Sequence, residues 1–190
     1  MPLTQKQARD NYIIDSIAKF LDRNIKAKYD TEVGLTAGTS EDISSKLRIR
    51  LGNPTDPAIV LNPPVIALSE RPAATNDDFY AIGSAIKWRH LNLDLFCFPS
   101  IRADGYPSDV AAFLLKSYMR DVFSTESIRV LDYSNPTFTA ANQVYTGENL
   151  YIVHRSNPAD HGKKSTNASE VNRFDMTLKV KYAVIESLAT

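Results

Sequence analysis

The feature that most constrains this chain is a long alternation of apolar and polar residues over residues 173–186. Successive side chains of a strand point to opposite faces of a sheet, so this period of two predicts one long strand. The apolar parity comprises Phe174, Met176, Leu178, Val180, Tyr182 and Val184. The polar parity comprises Arg173, Asp175, Thr177, Lys179 and Lys181. We therefore expect one buried face and one wet face, with lysines that discourage edge-to-edge aggregation.

Shorter strands are predicted upstream. Residues 46–51 alternate leucine and isoleucine with cations, which predicts a strand with one buried face. Residues 58–61 and 65–68 are short and apolar. The intervening Pro63 and Pro64 favour an edge strand or a bulge over a central strand.

A second long strand is predicted over residues 80–98. Tyr80, Ile82, Ile86 and Trp88 share one parity, whereas the other is taken by Leu91, Leu93, Leu95 and Cys97. The change of parity near Arg89 and His90 predicts a bulge or a break there. Residues 127–131 and 150–153 are also predicted strands, and the stretch leading to Val144 is ambiguous.

Two helices are predicted from helical periodicity and end signals. In residues 5–26 the isoleucines and leucine fall in one arc and the charged side chains in the opposite arc. Thr4 and Gln7 have the spacing of a capping box at its start. The second helix covers about residues 106–123, where Pro107 suits the first turn and Asp109 suits the positive helix end.

This order of elements predicts one α+β domain over residues 1–190. Because the strands follow one another along the chain, hairpins and a mainly antiparallel sheet are expected. The two helices are expected to pack on one face of that sheet, which gives a two-layer sandwich. A domain of this length buries enough apolar surface to fold without a metal or a disulfide.

Long polar loops are predicted near residues 29–45 and 154–172. The first contains Gly34 and Gly38 and shows no sustained period. The second has almost no apolar residues and leaves two interpretations open, a flexible hairpin tip or an arm that a partner orders.

Composition excludes several classes of function. Lys plus Arg and Asp plus Glu each total 22, so the basic excess expected of a dedicated nucleic-acid binder is missing. The single cysteine, Cys97, allows no internal disulfide and no cysteine-based zinc site. The first residues lack the apolar core of a signal peptide, and no apolar run reaches the length of a membrane span. We expect synthesis in a cytosol and no membrane partner.

The candidate chemical motifs all fail on spacing. Residues 162–166 resemble the end of a phosphate-binding loop, but the first glycine is missing and a strand follows. His154, Asp160 and His161 lack the spacing that fixes metal geometry. We therefore expect no catalytic residue, no cofactor and no metal, and we do not expect an enzyme.

Clusters of basic side chains are the remaining candidates for a functional surface. The first cluster lies on one strand and the second in the later polar segment. Both are interpreted either as solvated surface or as contacts with a subunit or partner. The candidate assembly residues are Lys46, Arg48, Arg50, Arg155, Lys163 and Lys164.

The order of elements resembles a known family. An amphipathic N-terminal helix precedes a short strand at residues 57–60, a long strand with Trp88 and the Leu91-x-Leu93-x-Leu95-Phe96 pattern, and a helix over residues 110–123. A polar loop and the alternating strand end the pattern. This order is similar to that of the tail terminator, or tail completion, proteins of long-tailed bacteriophages, the lambda-type minor tail protein family. The resemblance covers most of the chain and involves no signature motif.

The resemblance implies a structural virion protein rather than an enzyme. It implies a homohexameric ring that caps the tail tube protein and docks the tail to a head-side neck or connector protein. The protein would lie in the host cytoplasm during assembly and in the tail or neck of the virion afterwards. Two other functions stay open: another phage neck or head-tail connector protein, and a cytosolic α+β ligand-binding regulatory module.

Overall fold

The structure of the protein is a computed structural model that describes residues 5–32, 47–52, 64–71, 77–79, 86–99, 108–133, 135–139, 141–166 and 169–185. The helical elements are α1 (Gln5–Leu21), a π-helical segment (Asp22–Lys26), α2 (Ala27–Glu32) and α3 (Ser108–Val122). The strands are β1 (Arg48–Leu51), β2 (Val65–Glu70), β3 (Asp77–Phe79), β4 (Ile86–Phe98), β5 (Ser127–Leu131), β6 (Tyr145–Arg155), β7 (Ala159–Thr166) and β8 (Ser169–Ile185).

The strands form one eight-stranded sheet with the order β1-β2-β4-β8-β6-β5. β3 pairs with β4 beyond the end of β2, and β7 pairs with β8 beyond the end of β6. The pairings are antiparallel except for β1 with β2, which are parallel. Both ends of the order, β1 and β5, contact α1, so the sheet curls into a half-barrel. The predicted α+β class, with a mainly antiparallel sheet, is confirmed.

The centre of the core is the pairing of the two longest strands. Leu91 lies opposite Val180, and the same face continues through Leu93 with Leu178 and Leu95 with Met176. These side chains are buried together with the apolar faces of α1 and α3. The period of two in β8 is therefore confirmed, and so is the packing of the helices on one face.

The helical segment that begins at Gln5 continues through α1, the π-helical segment and α2 to Glu32, which is beyond the predicted end at residue 26. The π-helical turn keeps the apolar face of this segment aligned. The buried side chains recur at every fourth position: Ile13, Ile17, Leu21, Ile25 and Tyr29. Each step of four overshoots a turn of 3.6 residues by about 40°. The wider turn of Asp22–Lys26 offsets this drift, so the stripe continues into α2. The predicted loop near residues 29–45 is therefore wrong for Tyr29 to Glu32, and residues 33–46 lie outside the described residues.

The predicted bulge in the second long strand is wrong. β4 pairs with β8 without interruption from Ile86 to Cys97. The apolar side chains change from even to odd positions because Arg89, and not an apolar residue, occupies the buried face at this point of the strand. Arg89 is only 7% exposed. Trp88, one residue earlier, lies on the opposite face.

The expected edge position of residues 65–68 is also wrong, since β2 lies between β1 and β4. Pro64 precedes the strand, where its missing N–H breaks no ladder bond. Its carbonyl instead accepts a hydrogen bond from the Arg48 N–H at 3.1 Å. The predicted strand at 58–61 and the capping box at Thr4 lie outside the described residues.

The irregular loop predicted near residues 154–172 is wrong for the paired residues, whereas the hairpin of the first interpretation is present. β7 and the first part of β8 pair antiparallel, with Thr166 opposite Ser169 at the turn. Backbone hydrogen bonds hold this hairpin, so it needs no apolar alternation. The ambiguous stretch before Val144 leads into β6, which is longer than the predicted strand at 150–153. None of the helices within the described residues has the length and apolar character to cross a membrane.

Candidate assembly surfaces

A groove with a cationic rim lies between α1 and the end strand β1. Its volume is about 660 Å³. We define the cationic groove by the residues that line it: Asp15, Ala18, Lys19, Asp22, Lys26, Leu47, Arg48, Ile49, Arg50, Leu51 and Tyr133. Among the described residues, the outer edge of β1 has no neighbouring strand. Leu51 is 51% exposed there.

Buried polar contacts hold β1 against the helix. The Asp30 carboxylate accepts a hydrogen bond from the Leu47 N–H at 2.8 Å. The Lys26 ammonium donates to the Leu47 carbonyl at 2.7 Å and to Asp30 at 3.1 Å. Lys26 and Asp30 thus fix the position of Leu47, the residue that precedes β1.

The rim of the groove carries an excess of positive charge at β1. Lys19 of α1 pairs with Asp22, the first residue of the π-helical segment, at 3.2 Å. On β1, burial and then the charge of Arg50 lower the pKa of Arg48. Burial raises the pKa of Asp15 on the opposite wall. Arg50 is exposed at this rim, so it can pair with an anionic group of a partner.

The far wall of the groove is a small aromatic stack. Tyr133 packs on Tyr12 with ring centroids 5.3 Å apart and on Phe138 at 4.6 Å. Burial and then Asp15 raise the pKa of Tyr133 to about 12. The Tyr133 phenol is thus neutral at physiological pH.

A second surface lies on α3 and was missed by the sequence analysis. Phe113 is 70% exposed, and Val110, one turn earlier, is exposed as well. Asp109 is exposed beside them in the first turn. We call Asp109, Val110 and Phe113 the α3 ridge.

The signal for the α3 ridge was present in the sequence. The side of α3 that meets the core carries Ala111, Leu115 and Met119 at every fourth position. Phe113 lies two residues from Ala111, which is about 200° around the helix at 100° per residue. A helical wheel drawn with Ala111 facing the core therefore places Phe113 on the outer side of α3.

Polar contacts fix α3 to the strands at the other side of the half-barrel. Lys116 pairs with Asp160 of β7. Asn172 donates to the Asp109 carboxylate at 3.4 Å, and Arg155 of β6 donates to the Arg120 carbonyl. The α3 ridge thus belongs to the β7 and β8 side, whereas the cationic groove belongs to β1.

The structure does not bring the predicted basic residues together. Arg48 and Arg50 line the cationic groove, but Arg155 contacts α3 within the same subunit. The backbones of Lys163 and Lys164 lie on β7, opposite Asn172 and Val171, and Lys46 lies outside the described residues. Four strand spacings separate β1 from β7 along the curved sheet, about 19 Å at the usual spacing.

The sheet face opposite the helices carries an aromatic cluster. The rings of Trp88 and Tyr151 meet edge to face with centroids 5.9 Å apart. The Lys181 ammonium lies 5.0 Å from the Trp88 ring and 6.0 Å from the Tyr151 ring. Val153, on the same strand as Tyr151, is 47% exposed.

Two of the three residues considered as metal ligands, Asp160 and His161, have other partners. Asp160 pairs with Lys116, and His161 Nε2 lies 3.1 Å from the Asp175 carboxylate. Over the ranges that the structure describes, no three or more His, Cys, Asp or Glu side chains are grouped so that they could hold a metal ion.

Comparison of the sequence with protein-family models and with curated proteins finds no match.

Proposed function

We propose that this chain is a structural subunit of a bacteriophage tail, a tail terminator that assembles into a homohexameric ring. The ring caps the tail tube and offers a docking surface to a head-side neck protein. Subunits assemble in the host cytoplasm and remain in the virion, and the role requires no cofactor. Support comes from the order of elements and from the α+β half-barrel with helices on one face, which is the class of fold that the resemblance implies.

One observation carries this proposal: exposed apolar side chains lie on unlike surfaces of the subunit. Among the described residues, Phe113 marks one such surface on α3, Leu51 one on β1 and Val153 one on the outer sheet face. A ring requires heterologous contacts, in which one surface of each subunit meets a different surface of the next. Exposed apolar side chains that lie side by side, as Val110 and Phe113 do, can form part of an interaction site. The equal numbers of acidic and basic residues leave no net repulsion between like subunits.

The direct test is to add the purified protein to tail tubes and to polymerising tube protein. We expect rings at one end of each tube by electron microscopy and an arrest of further polymerisation. Tubes without the protein, which continue to grow, are the control. Absence of both rings and end-binding would overturn the proposal. Binding to the portal face in place of the tube end would select the alternative of a connector protein.

The volume of the cationic groove favours a second candidate function, a ligand-binding regulatory module. About 660 Å³ lies within the range of small-molecule sites. A stable dimer whose melting temperature rises with an anionic metabolite would favour this function over the ring.

A further inference from the structure

We propose that the α3 ridge of one subunit inserts into the cationic groove of the next. This inference rests on the proposed ring and names the two surfaces that mate. The occupant of the groove is thus a second copy of this chain, and each subunit contributes one ridge and one groove.

The α3 ridge has the properties of an anchor. Phe113 exposes 70% of its surface and Val110 lies one turn before it, so the two side chains form one apolar knob. A phenylalanine buries about 150–250 Å² when it is enclosed. Residues that fill a pocket in this way dominate the energy of an interface.

The cationic groove has the shape and lining to receive that knob. Ile49 and Leu51 of β1 and Ala18 of α1 supply apolar surface. Its volume of about 660 Å³ accommodates several side chains. The contacts of Asp30 and Lys26 with Leu47 hold β1 in place, so the groove is formed before a partner arrives.

Charge complementarity sets the orientation. Asp109 lies at the N-terminal end of the α3 ridge, and its bond to Asn172 is long at 3.4 Å. Arg50 is exposed at the rim of the groove. The Asp109 carboxylate of the neighbouring subunit can pair with the Arg50 guanidinium there, which sets the end of the α3 ridge that lies at β1.

The positions of the two surfaces are compatible with a closed ring. The α3 ridge is fixed to β7 and β8, and the groove is formed by α1 and β1. Because the two surfaces share no residue, one subunit can engage a neighbour on each side. Such contacts form rings when the rotation between subunits closes.

The test uses one variant of each surface. Phe113→Ser removes the knob, and Leu51→Glu places an acidic side chain in the groove. Val153→Ser is the matched control, since Val153 is an exposed apolar residue on β6 outside both surfaces. Circular dichroism and thermal melting establish that each variant is folded, and sedimentation and electron microscopy with tail tubes measure assembly. We expect each surface variant to raise the dissociation constant between subunits about thirtyfold, as loss of an interface anchor does. Val153→Ser should form rings.

Mixing the two surface variants tests the heterologous contact itself. The intact ridge of Leu51→Glu meets the intact groove of Phe113→Ser, so the mixture should stop at a one-to-one dimer. Asp109→Arg should also weaken assembly, and Arg50→Asp in the same chain should restore it. Rings formed by both surface variants, while the wild type also forms rings, would overturn this inference and leave the proposed function intact. If the surface variants form rings that no longer bind tube ends, the two surfaces contact the tube protein, and the inference is overturned in that case as well. Absence of wild-type rings would overturn the proposed function and this inference with it.

Discussion

The Asp30 carboxylate accepts the Leu47 N–H across the gap between α2 and the start of β1, at 2.8 Å. The two residues lie far apart in sequence, and both are buried, Asp30 being 7% exposed. Lys26 bonds to both partners, so one charged pair connects the helix to the strand that forms the groove. The position of the cationic groove thus depends on a polar contact rather than on apolar packing alone.

Replacement of Asp30 should therefore destabilise the fold and disturb the groove. Asp30→Ala leaves the Leu47 N–H and the Lys26 ammonium without their carboxylate, and a hydrogen bond to a charged group is worth about 1.5–3 kcal/mol. We expect the free energy of unfolding in urea to fall by about 2 kcal/mol. Glu32→Ala, an exposed acidic residue of the same helix, is the control and should cost less than about 0.5 kcal/mol. Equal effects of the two substitutions would contradict the role given to Asp30.

A second polar contact connects α1 to the opposite end of the sheet. The Ser16 hydroxyl accepts a hydrogen bond from the Leu131 N–H of β5 at 3.0 Å. Ser16→Ala leaves that buried N–H without its acceptor, and we expect a loss of about 1–3 kcal/mol in urea unfolding. Ser124→Ala is the control, because the Ser124 hydroxyl is exposed and bonds only locally to the Asp121 carbonyl. A cost for Ser16→Ala no greater than that for Ser124→Ala would show that the helix and β5 do not depend on this bond.

The sequence predicted those parts of the fold that follow from local period. The alternation in β8 and the apolar arc of α1 both survive in the structure, because burial of one apolar face supplies most of the favourable free energy of each element. The prediction failed where one residue breaks the pattern for a tertiary reason. Arg89 on the buried face of β4 suggested a bulge, and the polar composition of β7 suggested a loop. The backbone of β4 pairs with β8 at Arg89 without interruption, and the backbone of β7 pairs with β8 despite its polar side chains.

The candidate surfaces were predictable only in part. Arg48 and Arg50 were identified from their place on an alternating strand, and they do line the groove. The groove itself could not be predicted, because α1 and β1 meet only through the curl of the sheet and the contact of Asp30 with Leu47. Phe113 was not singled out, because the sequence analysis did not locate the buried stripe that begins at Ala111.

Tyr133 should make stability depend on pH in the alkaline range. The pKa of Tyr133 is about 12 in the fold against an ordinary value of 10.0, so between these values the native state holds a proton that the unfolded chain has lost. Stability therefore falls as the pH rises through that interval. Tyr133→Phe removes this dependence. Between pH 10 and pH 12 the melting temperature of the variant should therefore fall less than that of the wild type. Tyr151→Phe, which removes an exposed phenol, is the control. A difference that stays constant over the interval would contradict the shift.

Cys97 should be unreactive in the folded protein. Burial and, to a lesser degree, the charge of Asp175 raise the pKa of the Cys97 thiol well above its ordinary value. The thiolate is the reactive form, so alkylation requires an opening of the structure. We expect iodoacetamide to modify the native chain at least about 10³-fold more slowly than the chain in urea, since the folded state outweighs the open state by that factor or more. Mass spectrometry should detect the addition of one carbamidomethyl group, because the chain has one cysteine. Native rates within tenfold of the rate in urea would show that the C-terminal end of β4 is accessible.

The aromatic cluster on the outer sheet face should contribute a measurable cation–π energy. Lys181 lies 5.0 Å from the ring of Trp88, and such contacts are worth about 0.5–1 kcal/mol at exposed sites. Lys181→Met keeps the apolar stem and removes the charge, so it should lower the free energy of unfolding by that amount. Lys179→Met removes the same charge two positions away on the same face and serves as the control. In a double-mutant cycle with Trp88→Leu, the coupling energy should reach about 0.5 kcal/mol for Lys181 and fall below it for Lys179. Equal coupling for the two lysines would assign the effect to the general charge of the sheet face, and the ring contact would then carry no energy of its own.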